Sequence, residues 1–534
     1  MAGPNVDYSL YLVTDSTPAI LGNKSLCHVV EEALKGGVTV VQYRDKTSDT
    51  GELISTATQL HEITRQYKVP LLINDRVDVA LAVGCEGVHI GQDDMSLPTA
   101  RRLLGPSAII GVTVSTVDEA LRACEGGADY LGIGTVYATP TKTNTKDIIG
   151  TAGVRKILEA IEKAGYQTST VCIGGINASN LQRVMFQSSA TRKALDGVAL
   201  VSAIIADPDP QGAASSLLQL IKRPPAFKSF ISESDSAAVL NIVPSVIQQV
   251  HANKPISHNM TNLVWRDPQL PTLHVVADAG QVVQNFAANV ALAIGASPIM
   301  ANYGEEASDL CNLGGSLVIN MGTVDPKGLE NYLKALKAYN RAGRPVVFDP
   351  VGAGATQVRR EALKTIMANG YLDVIKGNEA EIRTVLGTNL PQQRGVDSTS
   401  TLDDSQKAEM VRELADREKN VVVMTGKTDF VSDGTRTFAI DNGHEYLGSV
   451  TGTGCTLATA ISAAVTLRHE DRLTAVIAAI LHFEIAAELA ASRSDVRGPG
   501  TFVPAFLDEL SSIRQSTVQS DLSWLRMAKL RKLD

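Results

Sequence analysis

The stretch Val38-Thr39-Val40-Val41-Gln42-Tyr43-Arg44-Asp45-Lys46 decides the fold of the first half of the chain. It begins as a β-branched apolar run and ends in polar and basic groups. A strand covered on both faces reads as a continuous apolar run, so the pattern predicts a buried parallel strand that delivers side chains at its carboxyl end. Positions i, i+2 and i+4 of a strand point the same way, which puts Gln42, Arg44 and Lys46 together, apart from Tyr43 and Asp45. Two cations and an amide gathered there suit an anionic ligand of the phosphate-ester kind. An ordinary solvated strand end would leave the same trace.

Working outward, apolar runs of this kind begin at Ser9, Pro70, Gly87, Ile109, Tyr130, Thr170 and Gly197. Segments of helical period separate them. In residues 51–67, for example, Leu53, Ala57, Leu60 and Tyr67 fall near one face. Eight strand–helix units before Lys222 are what a (β/α)8 TIM barrel requires, and such barrels keep their chemistry at the carboxyl rim. An open doubly wound sheet usually has fewer strands.

Read as a rim, the later strand ends are Asn74-Asp75, Gly91-Gln92-Asp93-Asp94, Thr113 with Ser115, Thr139 through Thr143, Gly174-Gly175-Ile176 and Val201-Ser202. Asp75 and Asp94, on neighbouring strands, are candidates to share one Mg²⁺, a hard cation that prefers oxygen ligands. Arg44, Lys46 and Lys142 would neutralise the charge the metal leaves. Gly174-Gly175 and Ser202 fall at the usual barrel phosphate site. Each feature has a plainer reading as well: Asp93 or Asp94 as a helix cap, Gly174-Gly175 as a tight turn.

Composition narrows the class. The 534 residues are 44% hydrophobic and 20% charged, ordinary for a globular chain, and suffice for several domains, or two if one is a full barrel. A net charge of −8 argues against general nucleic-acid binding. The richest apolar run, from Ala475 to Leu481, is interrupted by His482 and Glu484, so no membrane span is expected. The amino-terminal residues lack signal-peptide or transit character. Cysteines 27, 85, 124, 172, 311 and 455 show no paired spacing, which disfavours disulfides and zinc sites and points to a reducing compartment, the cytoplasm.

Paired prolines followed by Ser and acidic residues mark 223–236 as a semi-extended linker between domains at 1–222 and 237–534. The second half again alternates strand and helix patterns, and an open parallel sheet is the expected form. Four signals carry chemistry there: Asp349-Pro-Val-Gly-Ala-Gly354, Lys376-Gly-Asn-x-x-Glu381, Thr425-Gly426 and Val450-Thr-Gly-Thr-Gly-Cys455. The last opens a long apolar helix with glycines, presenting free N–H groups and a positive dipole end to a phosphate. Without the Gly-Lys-Ser/Thr ending it is not a Walker loop. Residues near 267–279 and 392–404 look like insertions. The tail from Ser523 to Lys532 reads as a basic amphipathic helix, solvated or facing a partner.

In order, Gln42-x-Arg44-x-Lys46, Asn74-Asp75, Gly91-Gln92-x-Asp94, Thr139-x-Thr141-Lys142, Gly174-Gly175-Ile176 and Val201-Ser202 resemble thiamine-phosphate synthase over residues 8–222. The resemblance implies that hydroxymethylpyrimidine diphosphate lies on Gln42, Arg44, Lys46, Asn74, Thr113 and Lys142, with Mg²⁺ on Asp75 and Asp94. It places thiazole phosphate on Thr139, Thr141, Gly175, Val201 and Ser202, and makes Arg44, Lys46 and Lys142 catalytic. Thr113 stands where that family commonly has Ser; the hydroxyl is kept.

The motifs of the second half, with Thr261-Asn262-x-Val264, Asn285-Phe286-Ala-Ala-Asn289 and Gly295-Ala-Ser-Pro-Ile-Met300, resemble hydroxyethylthiazole kinase, a ribokinase-like small-molecule kinase, over 241–515. That resemblance implies thiazole contacts at Asn262, Val264, Met300 and Gly452, and ATP contacts at Lys376 and Thr425. Asp349 and Glu381 would arrange Mg-ATP, and Cys455 takes the catalytic position. Lys376 replaces an expected Arg, keeping charge but losing bidentate geometry. A helix N-terminus lowers a thiol's pKa and nearby phosphates raise it, so Cys455 is expected to be a modest base at best.

Together the halves resemble the fungal-type bifunctional enzymes of thiamine biosynthesis, and imply a homo-oligomer built on a trimer, with a hexamer as the larger form. Two other readings stay open: a related pyrimidine kinase or thiazole tautomerase in one half, and a non-catalytic regulator that binds the precursors.

Overall fold

The computed structural model describes residues 6–137, 148–223, 225, 235–261, 279–322, 324–387, 402–467 and 470–533. They fall into two compact units, Met1–Pro225 and Ala226–Asp534.

The first unit is a closed barrel of eight parallel strands paired in chain order. These are β1 Leu10–Val13, β2 Val40–Tyr43, β3 Leu71–Asn74, β4 Gly87–Ile90, β5 Ile109–Val114, β6 Tyr130–Gly134, β7 Ser169–Ile173 and β8 Gly197–Leu200. Alternate residues of each strand fill the interior, among them Tyr11, Val40, Leu72, Ile109, Tyr130, Val171 and Ala199. Two glycines make this packing possible. A Cβ on Gly111 would collide with the Tyr130 ring, and one on Gly132 would lie 2.8 Å from His89 Cε1. Outside, the helix Thr50–Gln66 buries Leu53, Ala57, Leu60 and Thr64. Asp49 caps it by accepting from the Glu52 N–H.

The second unit is organised around a nine-stranded sheet, ordered β10-β9-β11-β12-β13-β14-β15-β16-β17. Its strands are β9 Ile256–Thr261, β10 Ser297–Ile299, β11 Ser316–Asn320, β12 Val346–Asp349, β13 Val374–Asn378, β14 Val421–Thr425, β15 Asp429–Ser432, β16 Thr437–Ile440 and β17 Leu530–Leu533. From β10 to β14 the sheet is parallel; from β14 to β17 it is antiparallel. The expectation of an open parallel sheet therefore needs correcting: this is a mixed α/β sheet.

The tail corrects another expectation. In place of a basic amphipathic helix there is a short 3₁₀ turn, Ser523–Met527, followed by edge strand β17. Trp524 anchors the turn, buried and donating from Nε1 to Thr517 Oγ1 at 2.9 Å, and β16 offers an open ladder to the residues beyond. Lys529 and Arg531 form ion pairs with Glu488 and Asp441. Helices Thr453–Val465 and Arg472–Ser492 are apolar on nearly every side and mostly buried, as helices of that pattern are in a packed core. By length and composition Arg472–Ser492 suits a membrane, but most of it is buried inside this unit.

Two candidate active sites

At the barrel rim, β2 ends at Tyr43, so of the expected trio Gln42 lies in the strand while Arg44 and Lys46 follow it. Gln42, 4% exposed, accepts from Tyr11 Oη at 2.8 Å and donates from Nε2 to Asn74 Oδ1 at 2.7 Å. Arg44 Nη1 lies 3.4 Å from Asp15 Oδ2, and Lys46 Nζ pairs with Asp75 Oδ2 at 2.7 Å. Asp75 adopts a left-handed backbone (φ 62°), a conformation in which Asp is tolerated better than most residues. Its N–H donates to the His89 carbonyl. Asp94 accepts the Gly91 N–H at 2.7 Å and caps no helix. Burial, then the facing Asp75 carboxyl, push Asp94 above the usual carboxylate range. Two carboxyls crowded together, countered by the Lys46 ammonium on Asp75 and the Gly91 N–H on Asp94, fit a divalent cation.

The rim rests on a chain of buried hydrogen bonds that sequence reasoning missed. Tyr11 Oη meets Tyr130 Oη at 2.6 Å, Tyr130 Oη meets His89 Nδ1 at 2.7 Å, and His89 Nε2 meets Thr113 Oγ1 at 2.8 Å. Asn74 and Thr113 are thereby fixed through the barrel interior. The signal was present: Tyr11 and His89 are polar residues at inward positions of apolar strands. Gly174 and Gly175 both have positive φ, and a Cβ on Gly174 would strike Thr135, so the turn after β7 demands glycine. Val201 and Ser202 follow β8, the neighbour of β7. Thr139, Thr141 and Lys142 lie outside the described residues.

The second site forms where β11, β12 and β13 meet the start of helix Thr453–Val465. Asp349, wholly buried, accepts from Asn320 Nδ2 at 3.1 Å, and Lys376 Nζ lies 3.4 Å from its Oδ1. The Gly452 backbone is left-handed (φ 90°), and a Cβ on Gly454 would meet Lys376 Nζ at 3.3 Å. Helix N–H groups and a buried ammonium thus share one small space. Burial disfavours the Lys376 ammonium, but the negative groups around it, Asp349 foremost, hold its pKa above the ordinary value. Glu381 accepts the Gly352 N–H through Oε1 and the Asn378 N–H through Oε2, both at 2.8 Å, tying the glycine loop after β12 to its own helix. Thr425 Oγ1 donates to Gly377 O at 3.4 Å.

Cys455 is half-buried, with its thiol turned to Asp349 and Asn320. Burial first, then Asp349, push it up to about 12 against the opposing pull of Lys376. Desolvation outweighs the lowering effect of the helix terminus, which leaves the thiol protonated at neutral pH. Asn320 and Arg359 were also missed. Arg359 donates to the carbonyls of Met321, Gly322 and Val351, joining the loops after β11 and β12. Met300 is partly buried directly after β10. Asn262 and Val264 lie outside the described residues.

Two family sequence models match the chain: "Thiamine monophosphate synthase" over residues 10–204 and "Hydroxyethylthiazole kinase family" over 247–516. The "Probable thiamine biosynthetic bifunctional enzyme" of Schizosaccharomyces pombe is 40% identical, over 99% of this chain and 99% of its own. The hydroxyethylthiazole kinase of Moorella thermoacetica is 43% identical over 51% of this chain and 92% of its own. The thiamine-phosphate synthase of Clostridium novyi is 43% identical over 40% of this chain and 100% of its own. With one relative matched from end to end and each half matched by its own family, the chain belongs to the bifunctional enzymes of thiamine biosynthesis, a thiamine-phosphate synthase joined to a hydroxyethylthiazole kinase.

Proposed function

We propose that the second unit phosphorylates 4-methyl-5-(2-hydroxyethyl)thiazole with ATP. The first unit then joins the thiazole phosphate to 4-amino-2-methyl-5-hydroxymethylpyrimidine diphosphate, giving thiamine phosphate and diphosphate. The observation that carries this reading is the 40% identity to a bifunctional relative across 99% of both chains.

In the kinase, Lys376 and Thr425 hold the phosphates of ATP, and the N–H groups at Gly452–Cys455 receive the charge of the transferred phosphoryl group. Phosphoryl transfer needs little covalent chemistry from the protein, so positioning and charge stabilisation dominate. Met300, Gly452, Asn262 and Val264 orient the thiazole so that its hydroxyl meets Cys455. Asp349 and Glu381 arrange Mg-ATP, Glu381 by shaping the loop whose N–H it holds.

In the synthase, Gln42, Asn74 and Thr113 orient the pyrimidine, while Arg44, Lys46 and Lys142 take up charge as the diphosphate leaves. Thr139, Thr141, Gly175, Val201 and Ser202 hold the thiazole phosphate, whose ring nitrogen attacks the electron-poor methylene. Mg²⁺ on Asp75 and Asp94 supplies Lewis-acid stabilisation of diphosphate oxygens when bound. The protein needs no nucleophile of its own.

The test is to assay each half-reaction on purified protein. ADP release with hydroxyethylthiazole and thiamine phosphate formation with both precursors are expected. Binding of the precursors with neither turnover would favour the regulator. Sedimentation checks the trimer-based assembly, and fractionation checks the cytoplasmic location that six free cysteines support.

A further inference from the structure

Helix Arg472–Ser492 carries a carboxyl at the centre of its buried length. Glu484 is 6% exposed and faces Asp429, 3% exposed, the first residue of β15. Their carboxyl groups act directly on one another. Asp429 Oδ2 and Glu484 Oε2 find no N–H or O–H donor among the described residues. Two ionised carboxyls cannot face one another in so dry a place, so one proton lies between them.

The surroundings say which residue holds it. Asp429 is backed by the Gly426 N–H, which donates to its Oδ1 at 2.9 Å, and by the field of Lys376 on β13. Among the described residues, Glu484 is acted on by burial and by negative neighbours: Asp429, Glu488 one turn along its own helix, and Asp441 just after β16. Lys529 and Arg531 of the tail are already paired with Glu488 and Asp441. Glu484 is therefore the acid and Asp429 the carboxylate.

This joint belongs to a latch on the turn after β14. Asp429 holds Gly426 at one end of the turn, and Asp441 accepts from Thr428 Oγ1 at 2.7 Å near the other. Glu488 accepts from the Gly443 N–H at 3.1 Å and fixes the next loop. Of these ties, the one between Glu484 and Asp429 alone depends on a shared proton. Buried acid pairs are poor sources of stability compared with apolar packing, so a latch is a better account of this one than fold strength.

We infer that Glu484 is a positioning residue of the kinase: in its acid form it clamps Asp429, Asp429 fixes the Gly426 turn, and the turn holds the nucleotide. The inference rests on the proposed nucleotide contact at Thr425. Loss of the shared proton sets two carboxylates against each other and loosens the turn. The KM for ATP then rises by roughly tenfold for each pH unit past the titration, because only the protonated fraction binds well. Turnover at saturating ATP and the KM for thiazole stay within about twofold.

The experiment measures KM for ATP and for thiazole across neutral and alkaline pH, in wild type, Glu484→Gln, Asp429→Asn and Thr425→Ala of the full chain. Each amide replaces the shared proton with a permanent N–H donor, and Asn at 429 still accepts from Gly426. Both amide variants are expected to match wild type at neutral pH and to keep a flat KM for ATP where the wild-type value climbs. Should one fail to fold, the other carries the test. A wild-type KM for ATP that does not rise, or amide variants that rise with it, overturns the inference. If Thr425→Ala raises the KM for ATP in that case, the nucleotide reading stands and the latch alone is refuted. If Thr425→Ala leaves it unchanged, both fall.

Discussion

Replacing Cys455 tests how the thiazole hydroxyl loses its proton. The thiol is pushed up to about 12 by burial and Asp349. Ionising it near pH 7.5 costs about 6 kcal/mol at 1.36 kcal/mol per pH unit, before the phosphates of ATP add their own repulsion. A well-matched general base contributes about 10²–10⁴ in rate, and a group so far from ionisation cannot reach that range. What the thiol offers is a weak acceptor and a fixed position. Cys455→Ala should therefore lower kinase turnover by about tenfold to 10², with the synthase rate unchanged. Cys455→Asp should equal or exceed wild type. Its carboxylate stands beside Lys376, whose Nζ already lies near Gly454, and ionises at working pH despite Asp349. An acid limb absent from the wild type should then appear in its pH–rate profile. The assay is ADP release with saturating thiazole and ATP, followed against pH. Wild-type turnover in the Ala variant would make Cys455 structural. An Asp variant slower than Ala would show that the proton is not accepted at this position.

Asp75→Asn or Asp94→Asn should slow thiamine phosphate formation by about 10² or more while thiazole phosphorylation continues, since charge stabilisation of a leaving diphosphate is lost from one unit only. Near-normal coupling in both variants at limiting Mg²⁺ would discard the metal assignment. His482 is buried, with Nε2 on the Leu510 carbonyl and its pKa lowered by burial to about 4. The fold accommodates the neutral ring, so this contribution is fully present above the unfolded pKa of about 6.5 and is lost as pH falls toward 4; it amounts to about 3 kcal/mol. Urea denaturation against pH should show that loss in wild type and little of it in His482→Gln, which keeps a donor; equal acid sensitivity in both would clear His482. Cleavage within residues 224–235 should leave two separately active parts, because each motif set is complete on its own side. An inactive fragment beside an active intact chain would refute the independence.

What the sequence could disclose depended on how far apart the interacting residues lie. All eight barrel strands were legible, because strands covered on both faces must be apolar throughout and their polar ends mark the rim. Strand β9 was not: Ser257, His258 and Asn259 make it look like a loop. In the fold these residues are satisfied by Ser462, by Tyr339 with the Ala301 carbonyl, and by Thr459. The basic tail was misread for the same reason, since Lys529 and Arg531 answer carboxylates 41 and 90 residues away. Motif residues such as Asp349, Lys376 and Cys455 announced themselves, each in a strand or at a helix start with glycine within three residues. Asn320, Arg359, Tyr130 and Glu484 did not, for their roles exist only through partners on other elements. Glu484 shows the limit most clearly. On the sequence it is an interruption that lowers the apolar character of a helix; in the fold it is the acid that lets Asp429 remain a carboxylate beside the Gly426 turn. A residue whose chemistry is set by a second residue, which in turn acts on a third, leaves no local pattern to read.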